Sequence, residues 1–157
     1  MMNADTQIYE VETYQPASCV GQLLYRVRAA QMSALDQELA QDPDLAPLEI
    51  SAAQYTIISV LAKCGVDSAA QLCKDLSYDA GAMTRMIDRL EAKGLVNRRR
   101  CPEDRRLMKL ELTEAGLVAL PKLRACSVRV LNRLLHGFSL AEARQLEGFM
   151  VRMLQNV

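Results

Sequence analysis

The chain has 157 residues, half of them apolar, enough to bury one core and too few for a second, catalytic domain beside it. Nineteen basic and nineteen acidic side chains give a formal net charge of zero, which at first sight argues against a nucleic-acid partner, because neutralising phosphates takes clustered Lys and Arg. No apolar run is long enough for a membrane span, and the opening residues are acidic and polar rather than basic then apolar, so a soluble, cytoplasmic chain without a membrane partner is expected.

In chain order, the polar leader ends at Pro16, and Val20, Leu23, Leu24, Val27, Leu35 and Leu39 then recur at three- and four-residue steps, predicting an amphipathic helix over about 18–41. The run Asp-Pro-Asp-Leu-Ala-Pro at 42–47 breaks it. Ser51-Ala-Ala-Gln54 has capping-box form and predicts a helix carrying Tyr55, Ile58 and Leu61 that stops near Cys64-Gly65. Ser68-Ala-Ala-Gln71 repeats the box and opens a short helix through Leu72 and Leu76. After a tight turn at 77–79, a helix runs from about Ala80 to Lys93, with Met83, Ile87 and Leu90 on one face and Gly94 as its stop.

Between Leu95 and Thr113 the helical period gives way to alternation: a strand from Leu95 to Cys101, a polar turn Pro102-Glu-Asp-Arg-Arg106, and a strand with Met108, Leu110 and Leu112 facing one way and Lys109 and Glu111 the other. A long helix follows from Glu114 to Leu135, which Pro121 is predicted to kink or restart, and a third capping box, Ser139-Leu-Ala-Glu142, opens the last helix. The fold class is mainly α with a small β-hairpin wing, in a single domain.

Cys19, Cys64, Cys73, Cys101 and Cys126 form an odd set without CxxC spacing, and His136 is the sole histidine. Reduced thiols are expected, with no disulfide framework, metal site or cofactor. The eight methionines read as core filling. With no Gly-rich phosphate loop, nucleophile elbow, HExxH or His-acid pair, the chain is not expected to be an enzyme.

The neutral total hides an uneven distribution. Residues 1–60 carry eight acids against two bases, whereas Arg85 to Lys109 carries nine bases against four acids, a local excess of +5. A short helix, a tight turn, a second helix and a basic hairpin make a winged helix-turn-helix, whose second helix fits the major groove of duplex DNA. Arg85, one turn into that helix, points to guanine acceptors or a phosphate; the alternative is an ion pair with Asp88 or Glu91. Ala80, Gly81 and Ala82 are small enough for close backbone approach. At the hairpin tip Arg105 and Arg106 suit the minor groove, with Asp104 bracing one guanidinium. Arg98, Arg99 and Arg100 read as phosphate contacts or as a solvated strand face. Arg89 reads either as a DNA contact or as a structural brace paired with an acid such as Asp104.

The run from Met83 to Arg98 (MTRMIDRLEAKGLVNR), followed by Pro102-Glu-Asp-Arg-Arg106 and Leu110-Glu-Leu-Thr-Glu-Ala-Gly116, resembles the MarR (multiple antibiotic resistance) regulators in order and spacing. The resemblance implies a homodimer joined by its terminal helices, 18–41 and 114–156, around a DNA-binding lobe at 51–112 with its wing at 95–112. It also implies repression of a pseudo-palindromic operator, relieved by a small aromatic or phenolic acid. By position it assigns groove reading to Gly81, Ala82, Thr84 and Arg85, and the wing contact to Arg106.

An effector site is sought at Tyr25, Arg28 and Tyr55, a phenol and cation set suited to an aromatic carboxylate, although a core tyrosine and a surface arginine would look the same in sequence. Some MarR relatives sense peroxide with a cysteine near the start of the first helix. Cys19 lies there, but six residues before Tyr25 rather than four, and Ala52 replaces one expected tyrosine. Cys101, following three arginines, is a second thiol to consider. The remaining alternative is a winged helix used only for protein contacts.

Overall fold

Side-chain caps set where most of the helices begin. The computed structural model describes residues 8–63, 67–100 and 108–157, and in it α1 (Val20–Gln41) starts at Cys19, whose Sγ accepts from the amide of Gln22. The box at α2 (Ala52–Leu61) is complete, with Ser51 Oγ accepting from Gln54 N at 3.2 Å and Gln54 Oε1 accepting from Ser51 N at 3.1 Å. Another free amide of that turn, Ala52 N, donates to Asp36 Oδ1 at 2.6 Å, so α1 caps α2. The predicted stop at Cys64-Gly65 lies outside the described residues.

In α3 (Ala69–Leu76) only half of the predicted box forms. Ser68 accepts from Gln71 N, but the Gln71 side-chain Nε2 donates to Asp75 Oδ1 at 2.6 Å, a charge-assisted bond that holds the side chain along α3 instead of back toward the Ser68 amide. Ser77, with φ 54°, ends α3 in the left-handed region. Asp79 then starts α4 (Ala80–Ala92) by accepting from Ala82 N at 2.8 Å, and Gly94, with φ 68°, turns the chain out of it.

Strands β1 (Val96–Arg100) and β2 (Met108–Leu112) pair antiparallel, in register from Val96 opposite Leu112 to Arg100 opposite Met108. Leu110 is buried and Leu112 half-buried, whereas Met108, on the same side but at the far end, is exposed because the hairpin extends beyond the core. A single helix, α5 (Glu114–Leu134), passes through Pro121 without a restart, one of the two outcomes expected there. Pro121 and Leu117 are both exposed, so the carbonyl that loses its donor lies on the solvent side, while Leu120 and Leu123 stay packed. The last helix, α6 (Leu140–Leu154), begins with the predicted Ser139–Glu142 box and buries none of its residues.

Leu39, Ile57, Ile58, Leu72, Met83, Ile87, Leu90 and Leu123 form a continuous core, and α5 packs along α1. Among the described residues no helix is long and apolar enough to cross a membrane.

The tightest junction lies where the hairpin meets α5. Thr113 N donates to Leu95 O at 3.1 Å, its hydroxyl donates to Gly94 O at 2.6 Å, and the same hydroxyl accepts from Gly116 N at 3.0 Å. A Cβ on Gly116 would overlap the carbonyl oxygen of Leu95. Gly116→Ala should therefore lower stability by about 1–3 kcal/mol through overpacking, despite alanine's better helix propensity; a melting temperature equal to that of the parent would contradict this.

Candidate nucleic-acid interface

Helix α4 buries Met83, Ile87 and Leu90 and turns Gly81, Thr84, Arg85, Asp88 and Arg89 outward, with Ala82 half-buried. The Thr84 hydroxyl donates to Ala80 O at 2.8 Å. Arg85 folds back along the first turn: a Cβ on Gly81 would stand 3.6 Å from its Nη1, an ordinary contact. The small residues at the helix start and the arginine thus form one surface. Asp104, Arg105 and Arg106, the expected wing contacts and brace, lie outside the described residues.

The described cations of the basic stretch divide into two sets. Lys93 Nζ donates to the carbonyls of Leu48 and Glu49 at 2.7 and 2.6 Å; Lys109 pairs with Asp67 at 3.0 Å, and Arg99 with Glu111. Arg98 pairs with Asp88 at 2.5 Å and with Glu91. Arg85, Arg89 and Arg100 make no ion pair among the described residues, so the acids that could have bound Arg85 are taken by Arg98. The arginine that braces α4 is therefore Arg98, and Arg89 stands exposed. Strand alternation sends only some of Arg98, Arg99 and Arg100 outward, and the register shows which one turns in: Arg98 stands opposite the buried Leu110. Arg99 is 71% exposed, and a surface pair of that kind, worth ~0–1 kcal/mol, exchanges readily for a phosphate.

The expected effector residues are not gathered in one cavity. Tyr25, 70% exposed, and Arg28, bonded to Gln31, lie on the open surface of α1, while Tyr55 is half-buried against the core on α2. A cavity of about 900 Å³ lies instead between α1, the end of α5 and α6, with Val27, Gln31, Leu131, Leu135, Leu140 and Met150 in its walls. Beside it Glu38 accepts from Arg129 at 2.6 Å and pairs with Arg133 at 3.0 Å, which holds its carboxyl below the ordinary glutamate value, chiefly through the Arg129 hydrogen bond.

Cys19 has an organised environment. Tyr14 OH donates to its Sγ at 3.3 Å and Gln22 N at 3.5 Å; in its protonated form the thiol donates to Pro16 O at 3.2 Å. Tyr14 stands edge-on to Tyr9 with centroids 5.7 Å apart, and Tyr9 OH accepts from Val20 N. The Tyr14 hydrogen bond and the helix-start amide favour the thiolate and lower the thiol pKa below its ordinary value. The same contact raises that of Tyr14. The tyrosine comes from upstream in the same chain; the spacing Tyr14-x4-Cys19 is its only trace in the sequence. Alkylation at Cys19, followed by peptide mass against pH, should show its midpoint below that of a free cysteine, and Tyr14→Phe should move it upward. An unmoved midpoint would mean that Tyr14 does not tune the thiol.

Residues 50–108 match the MarR family. Nearly the whole chain superposes on solved structures. Apo MarR from E. coli is 29% identical, with a TM-score of 0.71, over 87% of this chain and 97% of that one. A cysteine-to-serine variant of the E. coli protein complexed with operator DNA is 29% identical, with a TM-score of 0.73, over 86% and 93%. Bordetella bronchiseptica BpsR, described by the regulation of its DNA binding by 6-hydroxynicotinic acid, shares the fold at 22% identity and a TM-score of 0.74, over 92% and 98%.

Proposed function

We propose that this chain, a DNA-binding transcription regulator built on a MarR-family domain and not an enzyme, works as a homodimeric repressor, released from a pseudo-palindromic operator by a small aromatic or phenolic acid. The observation that carries this reading is the set of arginines without an acidic partner among the described residues, Arg85, Arg89 and Arg100, on the second helix of a helix-turn-helix and the adjoining strand, in a chain of zero net charge. Arg85, with Gly81, Ala82 and Thr84, addresses base edges in the major groove; Arg89, Arg99 and Arg100 address phosphates; Arg105 and Arg106, with Asp104 as brace, address the minor groove.

A second copy is the natural cover for the terminal helices. No residue of α6 is fully buried, Val27, Phe138 and Leu140 are exposed at the 900 Å³ groove, and Val20, Leu23 and Phe149 are exposed elsewhere on the terminal helices, more apolar surface than a monomer ordinarily leaves in water. Two copies related by a two-fold axis address half-sites about 34 Å apart. The acid effector is supported by BpsR, whose regulator is an aromatic hydroxy acid; Tyr25 and Arg28, one turn apart on α1, and Tyr55 on α2 are the phenol and cation set proposed to meet it once the dimer closes over α1. A second reading, release by thiol oxidation, is favoured by one observation, the donors aimed at Cys19.

Binding to DNA from upstream of the protein's own coding region, at two salt concentrations, with a panel of aromatic acids and separately after peroxide, tests these readings. Salt-dependent binding released by one acid is expected. Release by peroxide alone would favour Cys19, and no binding at any salt would leave a protein-interaction module. Arg106→Ala should weaken binding to every duplex and reduce the salt slope by roughly one unit, whereas Arg85→Ala should also relax sequence preference; equal effects would refute that division of roles.

A further inference from the structure

We propose that Arg98 is a positioning residue that sets the angle between the recognition helix and the wing, an inference that rests on the DNA-binding reading above. Between the last residue of α4 and the first of β1 lie only residues 93–95. Gly94 among them is in the left-handed region, and the amides of Gly94 and Leu95 donate to the Glu91 and Leu90 carbonyls at 2.9 and 3.0 Å, which with the Thr113 joint fixes the root of the hairpin. Arg98 adds a side-chain tie farther along the strand, beyond that root. Its guanidinium fork spans Asp88 and Glu91, three residues apart on α4, and its backbone amide faces Glu91 Oε1 at 3.4 Å.

The side chain is 26% exposed and its cross-strand neighbour Leu110 belongs to the core, so strand and helix are joined over a packed base. Both ends of the fork are engaged, and a phosphate would have to displace two carboxylates to reach it. The clamp also offsets one of the two negative charges of Asp88 and Glu91, which would otherwise repel DNA more strongly from the helix that carries Arg85 and Arg89. A duplex presents its major groove and the adjoining minor groove at a fixed spacing; a hairpin held at one angle meets both at once, whereas a loose one loses freedom on binding.

The test compares Arg98→Ala with Arg98→Lys in the full-length protein. Lysine keeps the charge but is a point donor that cannot fork between two acids. Amide hydrogen exchange of the free protein should show β1 and β2 exchanging about tenfold faster in both variants, with α1 and α5 unchanged. On DNA from the protein's own upstream region, both variants should bind about tenfold more weakly with an unaltered salt slope, and hydroxyl-radical footprints should lose protection in the flanking minor grooves while keeping it in the major groove. Unchanged hairpin exchange would overturn the brace. A Lys variant that binds like the parent, beside an Ala variant whose salt slope falls by about one unit, would make Arg98 a phosphate contact instead and overturn the positioning role. Faster hairpin exchange in a protein that binds no duplex would sustain the brace and refute the DNA reading alone.

Discussion

The close approach of Gly116 to Leu95 is the contact on which the arrangement of the lobe depends. At this point the end of the recognition helix, the start of β1, the end of β2 and the first turn of α5 converge, and Thr113 bonds in three directions to hold them. Any side chain at residue 116 would push α5 away from the strand. The leucine-threonine pair and the glycine three residues on are thus parts of one joint: a cap that starts α5 and a gap that lets it rest against the hairpin root.

A second tie lies at the other side of the lobe. Lys93, at the end of α4, reaches the carbonyls of Leu48 and Glu49 in the turn that follows α1, and Asp36 of α1 caps α2. The helix that carries Arg85 is therefore anchored both to α5, through Leu95, and to the α1–α2 junction, through Lys93. Within that frame, Glu38 is tied to Arg129 and Arg133, and its lowered pKa keeps the tie charged to acidic pH.

Charge is allotted by the same geometry. The basic stretch is not a uniform patch: Lys93, Arg98 and Lys109 hold the lobe together, Arg99 holds a weak surface pair, and Arg85, Arg89 and Arg100 remain free of acids among the described residues. An overall neutral protein can thus present a cationic edge, because residues 1–60 carry eight acids against two bases and both Asp88 and Glu91 on α4 are engaged by Arg98.

Much of this was legible from residues alone, because helix starts, strand alternation and turns are local. Ser51-Ala-Ala-Gln54 and Ser139-Leu-Ala-Glu142 announce their helices through bonds that span three residues, and the spacing of Met83, Ile87 and Leu90 marks the buried face of α4 without reference to any partner. The order of elements, the winged helix-turn-helix and the exposed position of Arg85 follow from such patterns. What lay beyond them needed contacts between residues far apart in the chain or in competition with one another. Gln71 bonds to Asp75 instead of closing its box, Pro121 is carried through by packing on either side, Arg98 is drawn inward by two acids on another element, and Tyr14 reaches Cys19 from the leader. Which cation is free and which is spent is decided by three-dimensional proximity, and one-dimensional spacing carries no record of it.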